Sequence, residues 1–445
     1  MHSNSQKRYS WIQPGRDYYD RDMHESKQFF SNGPFIENRL SNGLRVYSNH
    51  VPYVDSITIG IWINAGSRED PAGMGGLAHF LEHAVFKGTR SRDYAAVARC
   101  IEQVGGYIDA YTTKENTCIY IRCLKEHKAV AFDLLADLVC NPVFPEDEIE
   151  KEKEVVIEEI HGINDAPEEL IFDQFDDLAF PRHPLGPSIL GTEQSIENIS
   201  TEALHTFMRQ HYVAQNMFIT SAGNISHEEV MLNAEKCFSG LSSNEKQFGD
   251  RRTFREKDYT AFLTRQKKQL YQAQLLYGRA VVRDDRFFYS LLLLNTILGG
   301  GMSSILNIEL REKSALAYNA YSSLTLFEDA TLLNVYAGTD PENTGQTLAI
   351  IQDALKAETL SRISGAELLA AKNKFRSGLI MEMEKMTHRM SKAARDIFYF
   401  GRPVELEEKL SDIDHVTNDD LEQAATYLQM NTDASTLIYE PEEGE

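Results

Sequence analysis

The chain has 445 residues, of which 42% are hydrophobic and 25% are charged, so two domains of ordinary globular composition are expected. Its formal net charge of −22 argues against nucleic acid as a partner, because the phosphates would be repelled. Such a surface is typical of a well-solvated protein and would also suit a cationic substrate. The sequence contains no run of 18 apolar residues, so we predict no membrane span.

The first residues and the cysteines bear on where the protein works. Residues 1–34 are polar and mix acidic with basic side chains, which is typical of neither a signal peptide nor a transit peptide. We expect them to form a mobile polar arm. The five cysteines are odd in number and none has CxxC spacing, which favours reduced thiols over a disulfide framework. Together these features predict a cytoplasmic protein.

Hydrophobic periodicity predicts alternating strands and helices along the first half of the chain. Paired strands come first, with Asn42-Gly43 as a turn between apolar positions. Two helices, two strands and two further helices follow, the first helix ending at Gly88. The predicted ranges are 36–64, 77–87, 93–104, 107–112, 116–123, 127–139 and 145–164.

The second half of the chain repeats the first. Asp109-Ala110-Tyr111-Thr112 has a counterpart in Asn319-Ala320-Tyr321-Ser322, and the same offset of about 210 residues aligns the helix at 77–87 with an apolar stretch at 287–298. We therefore predict an α+β fold of two similar duplicated domains, each a mostly antiparallel sheet packed with helices. The predicted division is an N-terminal domain at 35–240, a polar linker at 241–258 and a C-terminal domain at 259–445.

The first predicted helix carries the motif His79-Phe80-Leu81-Glu82-His83. The two histidines are four residues apart, so they share one helix face and both imidazoles can reach one metal ion. Glu82 lies beside them, where a carboxylate can take a proton from a metal-bound water. The rest of the helix is apolar, which favours a metal site over surface histidines. In the second repeat the matching positions hold Tyr289, Leu292 and Leu293, so we predict one site per chain.

A third metal ligand is expected from the helix after Pro145. One helical stripe joins branched aliphatic residues to two glutamates, in the order Ile149, Glu152, Val156, Glu159 and Ile163. A carboxylate that faces a core needs a cation or strong hydrogen bonds. The pattern therefore points to either Glu152 or Glu159 as the ligand and leaves the choice open.

With these motifs the sequence resembles the inverted zinc-motif (HxxEH) peptidases of the pitrilysin and mitochondrial-processing-peptidase type, family M16, and especially their short bacterial members. The resemblance covers about residues 36–440 and includes Gly75-Gly76-Leu77-Ala78 before the motif and Phe86-Lys87-Gly88-Thr89 after it. It implies one Zn²⁺ per chain with Glu159, 76 residues after His83, as the third ligand. Glu152 is then a supporting glutamate that does not bind the metal directly.

The same resemblance implies residues that handle the substrate. Asp109 and Ala110 match a strand edge that takes up a peptide as an added β-strand, although relatives usually have Asn at the position of Asp109. Arg311 and Tyr318 match an Arg/Tyr pair that holds the substrate and stabilises the developing oxyanion. A glycine-rich loop that guides substrates corresponds to Gly299, Gly300 and Gly301.

We therefore predict a zinc metallo-endopeptidase that cleaves unfolded peptides or presequence-like segments inside a chamber formed by two chains. A homodimer is expected, with Arg311 and Tyr318 of one chain facing the zinc of the other, and a heterodimer with a related chain is the alternative. A non-catalytic core or assembly subunit of the same family is the second hypothesis, and zinc content separates the two. A third hypothesis, an unrelated binding protein with a chance motif, is disfavoured because the resemblance to the family extends over both halves of the chain.

Overall fold

The computed structural model describes residues 33–243, 251–428, 430 and 433–442. Residues 1–32 of the predicted arm and residues 244–250 of the predicted linker lie outside this part of the chain. The described residues form two sheet-plus-helix domains, so the predicted α+β class is confirmed. Of the helices described, none is both long and apolar enough to cross a bilayer.

The N-terminal domain is built on a six-stranded sheet with the order β1-β2-β6-β3-β5-β4. Its strands are β1 (Ile36–Arg39), β2 (Arg45–His50), β3 (Ser56–Ile63), β4 (Tyr107–Thr112), β5 (Thr117–Leu124) and β6 (Met217–Gly223). Its helices are α1 (Leu77–Ala84), α2 (Tyr94–Glu102), α3 (Lys128–Cys140), α4 (Glu146–Asn164), α5 (Pro167–Ala179), α6 (Glu193–Glu197), α7 (Thr201–His211) and α8 (His227–Phe238).

The C-terminal domain is built on a five-stranded sheet with the order β7-β11-β8-β10-β9. Its strands are β7 (Leu263–Lys268), β8 (Ala273–Val282), β9 (Ala317–Leu326), β10 (Ala330–Thr339) and β11 (Ser435–Pro441). Its helices are α9 (Phe288–Gly299), a π-helix (Asn307–Lys313), α10 (Thr344–Ala354), α11 (Ala357–Leu360), α12 (Gly365–Glu382), α13 (Met386–Phe400), α14 (Leu406–His415) and α15 (Asn418–Leu428).

The two sheets repeat one topology. In the first, β2 runs parallel to β6, and the neighbouring pairs from β6 through β3 and β5 to β4 are antiparallel. In the second, β7 runs parallel to β11, and the pairs from β11 through β8 and β10 to β9 are antiparallel. The strand β1 is an addition at one edge of the first sheet. The edge strands β4 and β9 correspond, as do the helices α1 and α9 that contact them.

Strand β3 shows why its sequence is a nearly continuous apolar run. Its isoleucines at 57, 59, 61 and 63 face the main core of the N-terminal domain. Trp62 faces the opposite side, where it packs with Met386, Met390 and Ile397 of α13. A strand covered on both faces has no solvent-exposed side to fill with polar residues. The apolar run of β3 is therefore explained by packing against both faces of the sheet.

Two helices pack across the boundary between the domains. Helix α13 lies between β10 and β11 of the second sheet in sequence, yet its apolar residues pack against β3 and β6 of the first. Helix α5 lies between β5 and β6 of the first sheet in sequence, yet Leu170, Ile171 and Phe175 pack against the second sheet. Each domain therefore contributes a helix to the outer face of the other, and the two share buried apolar surface. The predicted boundary at residues 241–258 stays a prediction.

A buried ion-pair cluster joins the domains beside these helices. The Arg68 side chain is fully buried, and its guanidinium donates two hydrogen bonds of 3.0 Å to Asp329 in the β9–β10 turn. Arg68 also pairs with Glu115 in the β4–β5 turn. Arg251, from the predicted linker, binds Glu69 at 2.7 Å. The cluster thus fixes the turn that follows β4 against the C-terminal domain.

Candidate metal centre

Helix α1 begins at a glycine and is buried along most of its length. Gly76 occupies the N-cap position with φ +89°, a left-handed conformation that favours glycine. A Cβ atom there would lie 2.4 Å from the carbonyl oxygen of Leu190. The helix packs against β4, β5, α4 and α7, and its apolar residues are almost fully buried. Its polar residues are therefore held among packed neighbours.

The structure brings His79, His83 and Glu159 together. One potential ligand atom from each lies within 4.8 Å of the others. The Nε2 atoms of both histidines are 3.8 Å from Oε2 of Glu159 on α4. The imidazole rings meet edge to face, with centroids 4.7 Å apart. The i, i+4 spacing thus places both imidazoles on the helix face that meets α4.

Glu152 binds the Nδ1 atom of the His83 ring, whereas the Nε2 atom faces Glu159. The Nδ1 atom of His83 lies 2.9 Å from Oε1 of Glu152, and Lys87 pairs with the other oxygen of the same carboxylate. Glu152 is 5% exposed, whereas the Glu159 side chain is 44% exposed. Hydrogen bonds from His83 and Lys87 outweigh burial, so the pKa of Glu152 is lowered. Glu152 is thus a buried carboxylate that orients His83 and leaves its Nε2 available.

His79 is set up as a neutral imidazole. Burial, followed by repulsion from His83, lowers the pKa of His79 to about 4. Its buried Nδ1 has no hydrogen-bond partner among the described residues. A neutral imidazole with an available Nε2 lone pair is the form that binds a metal.

These residues fit zinc by chemistry and spacing. Zinc favours nitrogen and carboxylate ligands at about 2.0–2.2 Å in a tetrahedral arrangement, which places ligand atoms about 3.3 Å apart. The separations of 3.8 Å from each Nε2 to Oε2 need only a shift of less than an ångström. The partly exposed Glu159 side chain has room to make that shift. The group would be a three-ligand site with one position open, as in catalytic rather than structural zinc sites.

Glu82 lies beside the candidate metal ligands, and its carboxylate has one hydrogen-bond partner among the described residues. The hydroxyl of Thr112 donates a hydrogen bond of 2.6 Å to its Oε2. None of the described residues donates to Oε1. The residue is 8% exposed, and burial raises its pKa. A buried carboxyl group with a raised pKa and one free oxygen is suited to accept a proton.

The predicted peptide-binding strand borders the same site. Among the described residues, β4 pairs only with β5, so its other edge is free. Asp109 and Ala110 lie on this strand, and both line a cavity of about 420 Å³ with Glu82 and His83. The Asp109 carboxylate accepts hydrogen bonds from the hydroxyls of Tyr107 at 3.2 Å and Tyr120 at 3.1 Å. Asp109 is thus held as an acceptor, and its part in substrate binding stays a prediction.

The predicted Arg/Tyr pair forms a separate group. The Arg311 guanidinium lies 5.1 Å from the centre of the Tyr318 ring, and Tyr318 is 80% exposed. None of the described hydrogen bonds or ion pairs connects either residue to His79, His83 or Glu159. The structure thus brings the pair together and leaves it exposed on the C-terminal domain.

The three glycines of the predicted substrate-guiding loop have local structural roles. A Cβ atom at Gly299 would lie 2.0 Å from the backbone nitrogen of Ser322 on β9, so only glycine permits this close approach. One at Gly300 would lie 2.6 Å from the Thr296 carbonyl oxygen. Gly301 has φ +154°, and its carbonyl accepts a hydrogen bond of 3.0 Å from the Ser304 N–H, which begins a turn. Their proposed contact with substrate stays a prediction.

Sequence reasoning assigned no role to two neighbours of the site. Lys87 is four residues after His83, and this i, i+4 spacing was the available sign that it shares the ligand face. Thr112 is two residues after Ala110 on β4, so the two side chains share one face of the strand, and that of Thr112 contacts Glu82 on α1. Its contact with Glu82 joins segments 30 residues apart, which no local pattern reveals.

Two family models match consecutive parts of the chain. The model described as "Insulinase (Peptidase family M16)" matches residues 45–193, and the model described as "Peptidase M16 inactive domain" matches residues 198–375. The first match contains every residue of the candidate metal centre. The second contains the Arg311/Tyr318 pair.

Similar proteins share most of the length of this chain. An uncharacterized zinc protease of Mycobacterium leprae is 35% identical over 87% of this chain and 88% of its own. Another, of Bacillus subtilis, is 33% identical over 89% of this chain and 96% of its own. A solved structure described as a protease from Helicobacter pylori has a TM-score of 0.84 at 23% identity, covering 92% of this chain and 100% of that one, which supports the fold alone. The chain therefore belongs to peptidase family M16.

Proposed function

We propose that this chain is a zinc metallo-endopeptidase with one zinc ion held by His79, His83 and Glu159. The observation that supports this most is the convergence of two imidazole nitrogens and one carboxylate oxygen beside the buried carboxyl group of Glu82. When bound, zinc supplies Lewis-acid activation of water and polarises the scissile carbonyl. The relatives' names as zinc proteases agree with this assignment.

Glu82 is the proposed general base and then the general acid. It accepts the proton that the attacking water loses and returns it to the leaving nitrogen. Thr112 binds Oε2 and fixes the carboxyl group, while Oε1 has no donor among the described residues and receives the proton. Burial raises the pKa of Glu82, which strengthens it as a base near neutral pH.

We propose that the substrate is an unfolded peptide or a presequence-like segment. An extended peptide can pair with the free edge of β4, which lies next to Glu82 through the Thr112 contact. The adjoining cavity of about 420 Å³ has Phe86, Val97 and Ile101 among its walls and can receive a substrate side chain. A folded protein does not present such an extended segment. The net charge of −22 supports a preference for basic peptides.

We also propose that two chains complete the active site. Arg311 and Tyr318 are exposed and unconnected to the metal ligands among the described residues. In a homodimer the pair of one copy can face the site of the other and donate hydrogen bonds to the developing oxyanion. A Glu82→Gln chain mixed with an Arg311→Ala chain should then regain peptide cleavage in mixed dimers. No regain after confirmed subunit exchange would contradict a shared site.

Glu82→Gln tests the enzymatic proposal itself. The amide keeps the size of the side chain but cannot accept a proton, so cleavage of an unstructured peptide should fall by about 10²–10⁴-fold. Zinc content should stay near that of the wild type, because Glu82 is not a ligand. Wild-type cleavage by the zinc-loaded variant would contradict the mechanism. A wild-type chain that binds zinc but cleaves no peptide would favour a non-catalytic family member.

A further inference from the structure

Asp70 makes an unusual contact with the helix that carries the metal motif. It follows the short 3-10 turn Ser67–Glu69 and is partly buried. Its Oδ2 accepts a hydrogen bond of 2.7 Å from the backbone N–H of Gly76, and its Oδ1 accepts one of 2.8 Å from that of Ala78. One carboxylate therefore binds two backbone groups at the start of α1, from six and eight residues away.

The start of α1 requires a cap from outside the helix. The first N–H groups of any helix lack partners within it, and a side chain at the N-cap position usually supplies one. Here the N-cap is Gly76, which has no side chain, and the Leu190 carbonyl leaves no room for one. Asp70 takes over this function by accepting hydrogen bonds from the N–H groups of Gly76 and Ala78. The conformation of the first turn therefore depends on Asp70.

His79 is the metal ligand that depends most on this first turn. It is the third residue of α1, directly after Ala78, whose N–H binds Asp70. His83 lies one turn further and is held independently by Glu152 at 2.9 Å. No described residue makes a hydrogen bond to the buried Nδ1 of His79. The position of the His79 imidazole is thus set by packing and by the backbone beneath it.

Asp70 is itself held in place by the residues before it. The N–H of Ser67 donates to the Thr113 carbonyl at 3.2 Å, and the N–H of Arg68 donates to the Lys114 carbonyl at 2.8 Å. The buried Arg68 guanidinium then binds Asp329 of the C-terminal domain at 3.0 Å. The cap is therefore anchored on the turn after β4 and on the second domain, not on a free loop.

We infer that Asp70 is a positioning residue for the metal centre: it fixes the first turn of α1 and, through it, the His79 imidazole. This inference rests on the proposed zinc site and adds a residue that does not touch the metal. Removal of partners that orient metal ligands commonly weakens metal binding by about 10–100-fold. Losing two N–H acceptors beneath His79 should have an effect of that size.

Zinc affinity, measured by competition with a chelator, tests the role of Asp70. Asp70→Ala should bind zinc about 10–100-fold more weakly than the wild type. Asp70→Asn keeps one acceptor oxygen, so its zinc affinity should lie between those of the wild type and Asp70→Ala. The matched control is Ser226→Ala, which removes the N-cap of α8 in the same domain, where the Ser226 hydroxyl accepts from the Glu229 N–H at 3.2 Å. This control should lose stability but keep wild-type zinc affinity.

Each outcome has a distinct meaning. Wild-type zinc affinity in Asp70→Ala, or an equal loss in Ser226→Ala, would overturn the positioning role. If Asp70→Ala does not fold, the zinc affinity of Asp70→Asn is compared with those of the wild type and Ser226→Ala instead. A zinc affinity of Asp70→Asn within about twofold of the wild type would overturn the positioning role. A wild-type chain that binds no zinc would overturn the proposed metal site, and the role of Asp70 with it. A wild type that binds zinc without cleaving peptides would refute only the peptidase proposal.

Discussion

The N-terminal and C-terminal domains have the same sheet topology but differ in the helix beside the edge strand. Helix α1 presents His79, Glu82 and His83 next to β4, whereas α9 presents Tyr289, Leu292 and Leu293 next to β9. Leu293 is fully buried in the core of its domain. The shared topology shows that the fold does not require a metal. The polar residues of α1 are therefore best explained by function, because apolar residues fill the same positions in the repeat.

The environments of the two helices differ as much as their sequences. Around α1, each polar residue except His79 has an added partner, such as Glu152 for His83 and Thr112 for Glu82. Around α9, a cavity of about 430 Å³ is lined in part by Asp396 and by Lys392 and Lys409, which both pair with Asp396. The cavity beside α9 is thus lined in part by charge pairs from α13 and α14, whereas the cavity beside α1 is lined in part by the potential metal ligand His83.

Matched substitutions on the two helices should affect different properties: one on α1 should abolish zinc binding, and one on α9 should lower stability. The loss of zinc is the greatest change that we expect. His83→Ala removes one of the three proposed metal ligands, so bound zinc should fall from about one per chain to near zero and peptide cleavage should be lost. Leu293→Ala leaves a cavity in a packed core and should lower the free energy of unfolding by about 2–5 kcal/mol. Zinc content by metal analysis should be unchanged in this second variant. Equal zinc content in both variants would contradict a single site on α1.

The supporting carboxylate should have a smaller effect than the ligand it orients. Glu152→Gln keeps a hydrogen-bond acceptor for His83 but removes the charge that pairs with Lys87. Zinc affinity should fall by about 10–100-fold while stoichiometry stays near one per chain at saturating zinc. Titration with a competing chelator distinguishes these two quantities. Loss of stoichiometry even at saturating zinc would instead make Glu152 a ligand.

The smallest effect is expected from the charge cluster of the C-terminal domain. Burial, then repulsion from Lys392, lowers the pKa of Lys409 from 10.5 to about 8. The folded state therefore binds fewer protons than the unfolded chain between pH 8 and 10.5, so the contribution of Lys409 to stability rises with pH in this window. From pH 8 to pH 10, urea unfolding of the wild type should gain about 1–2 kcal/mol relative to Lys409→Met. Parallel pH profiles of the two proteins would contradict this.

The sequence was informative where a short spacing determines the geometry. The two histidines at i, i+4 spacing on α1 both lie near the Glu159 carboxylate. The repeated segments, offset by about 210 residues, lie on the corresponding edge strands β4 and β9. The stripe on α4 was less reliable. Glu152 and Val156 are buried as the stripe predicts, but the buried face continues through Ile160, and Glu159 is exposed. The resemblance to a family, rather than helical periodicity, identified Glu159.

Contacts between distant segments could not be read from the sequence. Amphipathic patterns indicate that α5 and α13 bury one face, but no pattern shows that each covers the sheet of the other domain. Similarly, Gly75-Gly76 shows that α1 lacks a cap of its own, yet nothing local shows that Asp70 provides it. These contacts join segments that are distant in sequence, so they are determined by the tertiary fold and not by local sequence patterns.

The location of bound zinc is the most direct test of the proposed metal centre on α1. Crystals of the zinc-loaded protein measured at the zinc absorption edge should show one anomalous peak per chain, at bonding distance from Nε2 of His79 and His83 and from the Glu159 carboxylate. No peak should occur near Tyr289 or Leu293. A peak on other residues, a second peak in the C-terminal domain, or no peak at all after zinc loading would contradict the account.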